Sequence, residues 1–479
     1  MRKNLCIGLM AGALLLGSCS GDIHPSGSIG SLPPMEPDYS FVTVPRNIAP
    51  LNFSYTGNGE CALQVEGRTI RGKDGLFSLP ERLWKKMMEK EEVEMTVLVR
   101  QGEAWKSYQP FKIYVKEAID PYLSYRLIPP GYQGWQKMGI YQRDLTSYRQ
   151  TAILSNDLTD GNCMNCHATA GGDPSKSVFH VRAAHGGTML IDGDSIEKLN
   201  TKTDSTISAL VYPYWHPSGN HIAFSVNQTL QSFYNHGHDR IEVYDMASDV
   251  VVYDIRSKEI AWSPLTKRED RFETFPTFSP DGNWLYFCSA EAVEMPKDHK
   301  AVRYGLYRIA FNARDMRFGD SLECLYDAPA EGYSVSFPRI SPDGRFLCYT
   351  RHGYGNFSIW HKDADLWMMD LETLERWPLE AANSPETDSF HSWSSNGRWM
   401  VFSSRRLDGL YTRPYFTYID EEGKASKPFL LPQKDPNAYY KRLMDSYNLP
   451  AFMNGPLKMS KHRIVSEIRE SPGTDVKVK

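Results

Sequence analysis

Cys163-Met164-Asn165-Cys166-His167 sets two thiols three positions apart, with an imidazole directly after the second. Thiols at this spacing can form thioethers with the two vinyl groups of one porphyrin, and the adjacent neutral imidazole can bind its iron. On this reading Cys163 and Cys166 anchor one haem c and His167 is its iron ligand. Gly161, Ala168, Ala170, Gly171 and Gly172 surround the motif. They read as a Gly-rich loop whose backbone can approach a macrocycle closely. The sixth iron position has three nearby candidates, His180 first, then His185 and Met189. A bis-histidine iron favours electron transfer, whereas an open position favours gas or peroxide chemistry.

Plainer chemistries compete for the same residues. Cys163, Cys166, His180 and His185 satisfy the ligand spacing of a Cys2His2 zinc site, with 2, 13 and 4 residues in the intervals. Such a finger needs a small apolar core between its ligand pairs, and "HATAGGDPSKSV" supplies almost none. A redox dithiol needs a thioredoxin-like βαβ setting that the flanking sequence lacks. A structural disulfide is the remaining alternative. Elsewhere His236, His238 and Asp239 stand close together and read as a solvated turn. Glu273 and Asp388 hold matching places three residues before Pro276 and His391. Two acids at one mouth of a closed β-structure would bind a cation or a basic partner, with solvation at a blade edge as the plainer outcome.

The elements that position these residues are set by an internal repeat. "YPYWHPSG", "FPTFSPDG", "FPRISPDG" and "FHSWSSNG" recur, each followed by an alternating apolar run such as "NWLYFCSA". Each unit is an aromatic-rich strand, a turn needing Gly at positive φ, and a second strand. Further strands follow, and four strands per unit make the blade of a β-propeller. The turn glycines Gly219, Gly282, Gly344 and Gly397 are spaced by 63, 62 and 53 residues, so the blades carry enlarged loops. Two weaker hairpins, 138–154 and 177–200, bring the count to six blades, or seven. The fold class is therefore all-β, with a propeller over 119–460. A small β-sandwich-like domain is expected over 41–118 and a polar, disordered tail over 461–479.

At the other end, "MRKNLCIGLMAGALLLGSC" has a basic start, an apolar run too short to span a bilayer, and small residues before Cys19. This reads as an export leader over 1–18. The Gly-, Ser- and Pro-rich stretch after it, 19–40, reads as a flexible tether of roughly 25 Å root-mean-square span. The chain carries 54 Lys and Arg against 58 Asp and Glu. Loss of Arg2 and Lys3 with the leader leaves 52 against 58, a net charge of −6. That balance argues against a nucleic-acid partner. Cys61, Cys288, Cys324 and Cys348 are scattered, the last three in or beside strands where cysteine is a small core residue.

"LGSC" resembles a lipobox, which implies cleavage before Cys19 and acylation of its thiol. The "SPDG" units resemble TolB-like, or WD40-like, propeller repeats over roughly two thirds of the chain. Together with "NCMNCH", "WHPSG", "FSVN" and "LYFCSA", they are similar to exported TolB-like propeller lipoproteins of Bacteroidota, some described as cytochrome-related. The resemblance implies a lipid-anchored protein of the cell envelope, periplasmic or surface-facing, and brings no settled reaction. The expected role is electron transfer or redox sensing with a protein partner on the propeller face. The alternative is a non-redox binding or scaffold protein whose thiol loop holds zinc or a disulfide. Catalysis, such as peroxidase chemistry, ranks lower because no distal catalytic residues are recognisable. No Gly-x-Ser-x-Gly elbow supports a serine hydrolase.

Overall fold

A computed structural model describes residues 23–129, 137–234 and 241–479. The leader with Cys19, and the His236, His238 and Asp239 cluster, lie outside the described residues. Among the described residues, six blades of four antiparallel strands form the propeller. Their innermost strands are Ser446–Met453, Met164–Ala170, Val211–Trp215, Arg271–Phe278, Ser334–Ile340 and Asp388–Trp393, for blades 1 to 6. Blade 1 closes the ring. Its innermost strand comes from the C-terminal part of the chain and pairs with Tyr122–Ile128 at the start of the propeller.

The repeated turns show why these sequences fold as they do. In blades 4 and 5 the turn serine donates to the turn aspartate, Ser279 to Asp281 and Ser341 to Asp343, each at 2.5 Å. The same carboxylates accept the backbone N–H two residues on, at 3.0 Å and 3.1 Å. Gly282 and Gly344 then sit at φ of 75° and 78°, the left-handed region that glycine enters without steric cost. Blade 6 repeats the device with Ser394 and Asn396 at 2.6 Å.

"GNCMNCHATAGG" is not an inserted loop. Met164–Ala170 is the innermost strand of blade 2, and Gly171-Gly172 is the shortened turn that leads into its second strand. The Cys-x-x-Cys-His motif therefore runs along the propeller axis.

Seven strands form one sheet and three another in the N-terminal domain, with a short helix at Glu81–Met87. Its core is continuous with that of the neighbouring blades: Phe53, Phe77 and Phe111 belong to the same apolar cluster as Trp399, Phe416 and Tyr447. Trp399 donates its indole N–H to the Glu117 carbonyl at 3.1 Å. The expected tether is ordered from Ile23 onward. Ile23 is buried against Ala62 and Leu98, and Gly27–Ser28 pairs with Lys106–Ser107.

The C-terminal tail is also structured. Lys461–Glu470 is a helix whose Ile464 and Ile468 are fully buried in the core that contains Cys163, Phe179 and Met189. Thr474–Asp475 and Lys477–Val478 add parallel edge strands to blades 2 and 3. The polar composition hid a two-residue apolar stripe at helical spacing. Burial of an Ile side chain is worth about 1.5–3 kcal/mol. A chain ending at Ser460 is therefore expected to lose about 3–6 kcal/mol of stability, checked by urea unfolding; an unchanged midpoint would show the tail to be dispensable.

Candidate functional site: the two mouths of the channel

Each innermost strand carries a register shift at the same place. At that place one non-glycine residue is left-handed: Cys166, Tyr212, Phe275, Phe337, Phe390 and Leu449, with φ between 47° and 54°. Bulky residues avoid this conformation, at a cost of order 1–3 kcal/mol, unless the surroundings enforce it. Here a bulge turns each side chain toward the axis. Phe337 meets Phe275 and Phe390 at ring-centroid distances of 4.4 Å, and Tyr212 meets Phe275 at 4.9 Å. The six residues plug the channel, and Cys166 completes the ring that aromatic residues dominate.

The plug separates two mouths. One, at the start of the innermost strands, encloses about 100 Å³ and is lined by Cys163, Asn165, Arg126, Arg182, Trp360 and Asn448, among others. We call it the thiol mouth. The other, rimmed by the repeat turns, encloses about 380 Å³ and contains His167, His391, Arg339, Tyr214, Trp215 and Trp393. The motif is thus divided: Cys163 opens to one mouth, Cys166 lies in the plug, and His167 faces the other mouth.

His167 is neutral, its pKa lowered to about 4 by burial and then by the nearby Arg126 guanidinium. Both ring nitrogens are shielded from solvent, and neither forms a well-directed hydrogen bond, although the backbone of Ser124 and Leu449 faces the ring. The thiol of Cys166 is held up by burial, which outweighs Arg182 and Arg126.

The candidate sixth ligands do not gather around His167. His180, cross-strand from Asn165, has its Nδ1 3.1 Å from Thr188 Oγ1 and lines a separate groove of about 410 Å³ together with Arg182. Burial lowers its pKa to about 3. His185 meets Asp160 at 3.0 Å, and that carboxylate is also held by Arg469 at 2.6 Å. Met189 is fully buried in the core between blades 1 and 2. Among the described residues no group of three or more His, Cys, Asp or Glu is arranged to hold a metal ion. All six described cysteines are free thiols, Cys324 exposed and the rest buried.

Glu273 and Asp388 line neither mouth nor a solvated edge; both are fully buried. Asp388 accepts from Arg406 at 2.7 Å and from Ser384 Oγ at 2.8 Å. Glu273 accepts from Ser289 at 3.3 Å, and the backbone at Arg268 faces the carboxyl.

The sequence reading missed the arginines. Arg126 and Arg182 make no ion pair among the described residues, and only 8% of Arg126 is exposed. A signal for the plug was nevertheless present. An axial residue followed by Pro or His recurs as Tyr212-Pro213, Phe275-Pro276, Phe337-Pro338, Phe390-His391 and Leu449-Pro450. Cys166-His167 is the member of that series in blade 2.

Over the thiol mouth lies the hairpin His221–Phe233 and Ile241–Asp254, paired along its whole length. Ile241 and Val243 pack on the plug rings. Glu242 accepts from Tyr354 at 2.6 Å and lies 3.1 Å from His361 Nε2. Asp245 accepts from Asn356 at 2.6 Å and from Asn227 at 2.8 Å, and burial raises its pKa to about 7.

No family model matches the chain, and no curated protein matches it. Among solved structures it is similar to TolB from Acinetobacter baumannii, with 14% identity, a TM-score of 0.44, and 75% of this chain and 78% of that one covered. An oligogalacturonate lyase in complex with manganese matches at 14% identity and a TM-score of 0.35, over 64% and 78% of the two chains. A putative 6-phosphogluconolactonase from Bacteroides fragilis matches at 12% and 0.32, over 79% and 97%. The six-bladed architecture stands on the strand pairing described above.

Proposed function

We propose that the protein is an exported, lipid-tethered propeller of the cell envelope that binds an anionic ligand at its thiol mouth. One observation carries this reading: Arg126 and Arg182 flank Cys163 and Cys166 with no carboxylate in ion-pair contact among the described residues. An uncompensated guanidinium in a largely desolvated wall costs several kcal/mol, a cost that an anionic ligand offsets. Only three residues, Ser20 to Asp22, separate Cys19, the proposed lipid site, from the docked Ile23. The reach from Cys19 to Ile23 is at most about 14 Å, so the N-terminal domain would lie close to the membrane rather than on a long tether.

A second reading keeps haem c and electron transfer to a protein partner. It is favoured by the two thiols standing with two arginines, since arginines pair well with carboxylates such as haem propionates. The fit is incomplete. The mouth encloses about 100 Å³, room for the head of a small acid but far too little for a porphyrin, and His167 opens on the opposite mouth. Haem held by Cys163 and Cys166 would need a wider mouth, and its iron ligand would not be His167 in this arrangement.

Both readings are tested on protein produced in a host that matures c-type cytochromes. Colourless protein whose Tm rises with succinate, and whose apparent affinity falls at least 10-fold in Arg182→Gln, supports the first. A Soret band and a pyridine haemochrome lost in Cys163→Ser and Cys166→Ser support the second. Colourless protein indifferent to succinate, citrate and phosphate would overturn both.

A further inference from the structure

The mouth rimmed by the repeat turns has features that neither reading uses. Arg339 follows the plug residue Phe337 on the innermost strand of blade 5. Its guanidinium lies 5.0 Å from the ring centroids of both Tyr214 and Phe337, and its Nη1 donates to the Pro338 carbonyl at 2.7 Å. Among the described residues it has no carboxylate partner. The rings hold the planar fork in place, so little side-chain entropy remains to be lost on binding.

Besides Arg339, Asp120 is the one charged residue among the described residues that line the cavity. His391 donates Nε2–H to the Cys348 carbonyl at 2.9 Å, leaving Nδ1 as a shielded acceptor with no hydrogen-bond partner among the described residues. Burial keeps this ring neutral, as it does His167. Asp120 lies at the rim, where the backbone N–H and hydroxyl of Ser395 both donate to it at 2.7 Å. The indole N–H groups of Trp215 and Trp393 are also committed, to the carbonyls of Ala168 at 3.4 Å and Arg339 at 3.0 Å. Trp393 therefore offers an apolar face to the cavity, whereas Trp215 is buried in the core behind it. At about 380 Å³ the cavity is of small-ligand size.

We infer that this mouth is a second binding site, which takes a carboxylate with a flat apolar body, the carboxylate on Arg339 and the body against Tyr214 and Trp393. A free small acid and the C-terminal carboxylate of a peptide share this chemistry. The site lies across the plug from Arg126 and Arg182 and stands whether or not the thiol mouth binds an anion.

The test uses the mature protein titrated with phenylacetate, with phenylacetamide, and with a Gly-Gly-Phe peptide bearing a free or amidated C-terminus. Binding is read by tryptophan fluorescence and calorimetry. Saturable binding of phenylacetate identifies a small acid, and binding of the free-carboxylate peptide alone identifies a chain terminus. In either case the amide form is expected to bind at least 10-fold more weakly, as is Arg339→Met, while Arg182→Gln binds like the parent. Arg339→Lys should fall between. Absence of saturable binding by both acids, or equal binding of acid and amide, would overturn the site. The acid-to-amide comparison on the unaltered protein keeps the test valid should Arg339→Met fold poorly.

Discussion

Phe337→Ala is expected to destabilise the propeller by about 3–5 kcal/mol and to join the two mouths. The side chain is almost fully buried at the axis, in contact with Phe275 and Phe390 at 4.4 Å and with the Arg339 guanidinium. Its removal forfeits the transfer energy of an aromatic ring and leaves a cavity that six fixed blades cannot collapse to fill. The second effect is specific to the plug. Cys166 is 2% exposed and sits in the same ring of axial residues. With Phe337 truncated, a small thiol reagent should label Cys166 at least 10-fold faster, as read by peptide mass spectrometry at a temperature where the variant remains folded. Cys288, buried in the blade 4–5 core, supplies the internal control. A variant that loses stability while Cys166 stays as protected as Cys288 would show that the plug does not seal the channel.

The repeat was legible because its chemistry is local. Ser, Asp and Gly at fixed offsets make a turn wherever they stand, and alternating apolar runs on both sides can only be strands. Four blades announced themselves in this way. Blade 2 did not, because its turn is Gly171-Gly172 alone, and a strand of small residues with two cysteines and a histidine has no apolar alternation to read. The tail was misread for a related reason. Ile464 and Ile468 are two apolar residues in an otherwise charged helix, and their burial depends on the core between blades 1 and 2. Arg126, Arg182 and Arg339 were invisible as a set. What sets them apart is a place in a mouth of the channel with no carboxylate ion pair among the described residues, and that is decided by blades brought together from distant parts of the chain. The motif was legible in the sequence as residue types and spacing. Their division across a plug required knowing that the strand runs along the axis.

Buried acids give the largest pH-dependent expectation. Glu273 has its pKa raised to about 8, first by burial and then by the charge of Asp249, whose own pKa burial raises to about 6. Ser289, Arg271 and the backbone at Arg268 oppose the shift without cancelling it. The folded state thus holds a proton on Glu273 across a range in which the unfolded chain, with a carboxyl near 4.3, has released it. Below pH 4 both states are protonated and the group contributes nothing. As pH rises from about 4.5 to 8 the folded state loses stability, and above pH 8 the penalty is complete, of order 3–5 kcal/mol. Glu273→Gln removes the titration and keeps a carbonyl to accept from Ser289. The variant should match the parent near pH 4.5 and exceed it by a few kcal/mol at pH 8.5, in urea unfolding at both pH values. Asp245 and Asp249 shift in the same direction, so the parent curve alone does not isolate Glu273, whereas the difference between the two proteins does. A difference that is constant with pH would mean that Glu273 keeps an ordinary carboxyl pKa in the folded protein, with Arg271 and the backbone at Arg268 offsetting its burial.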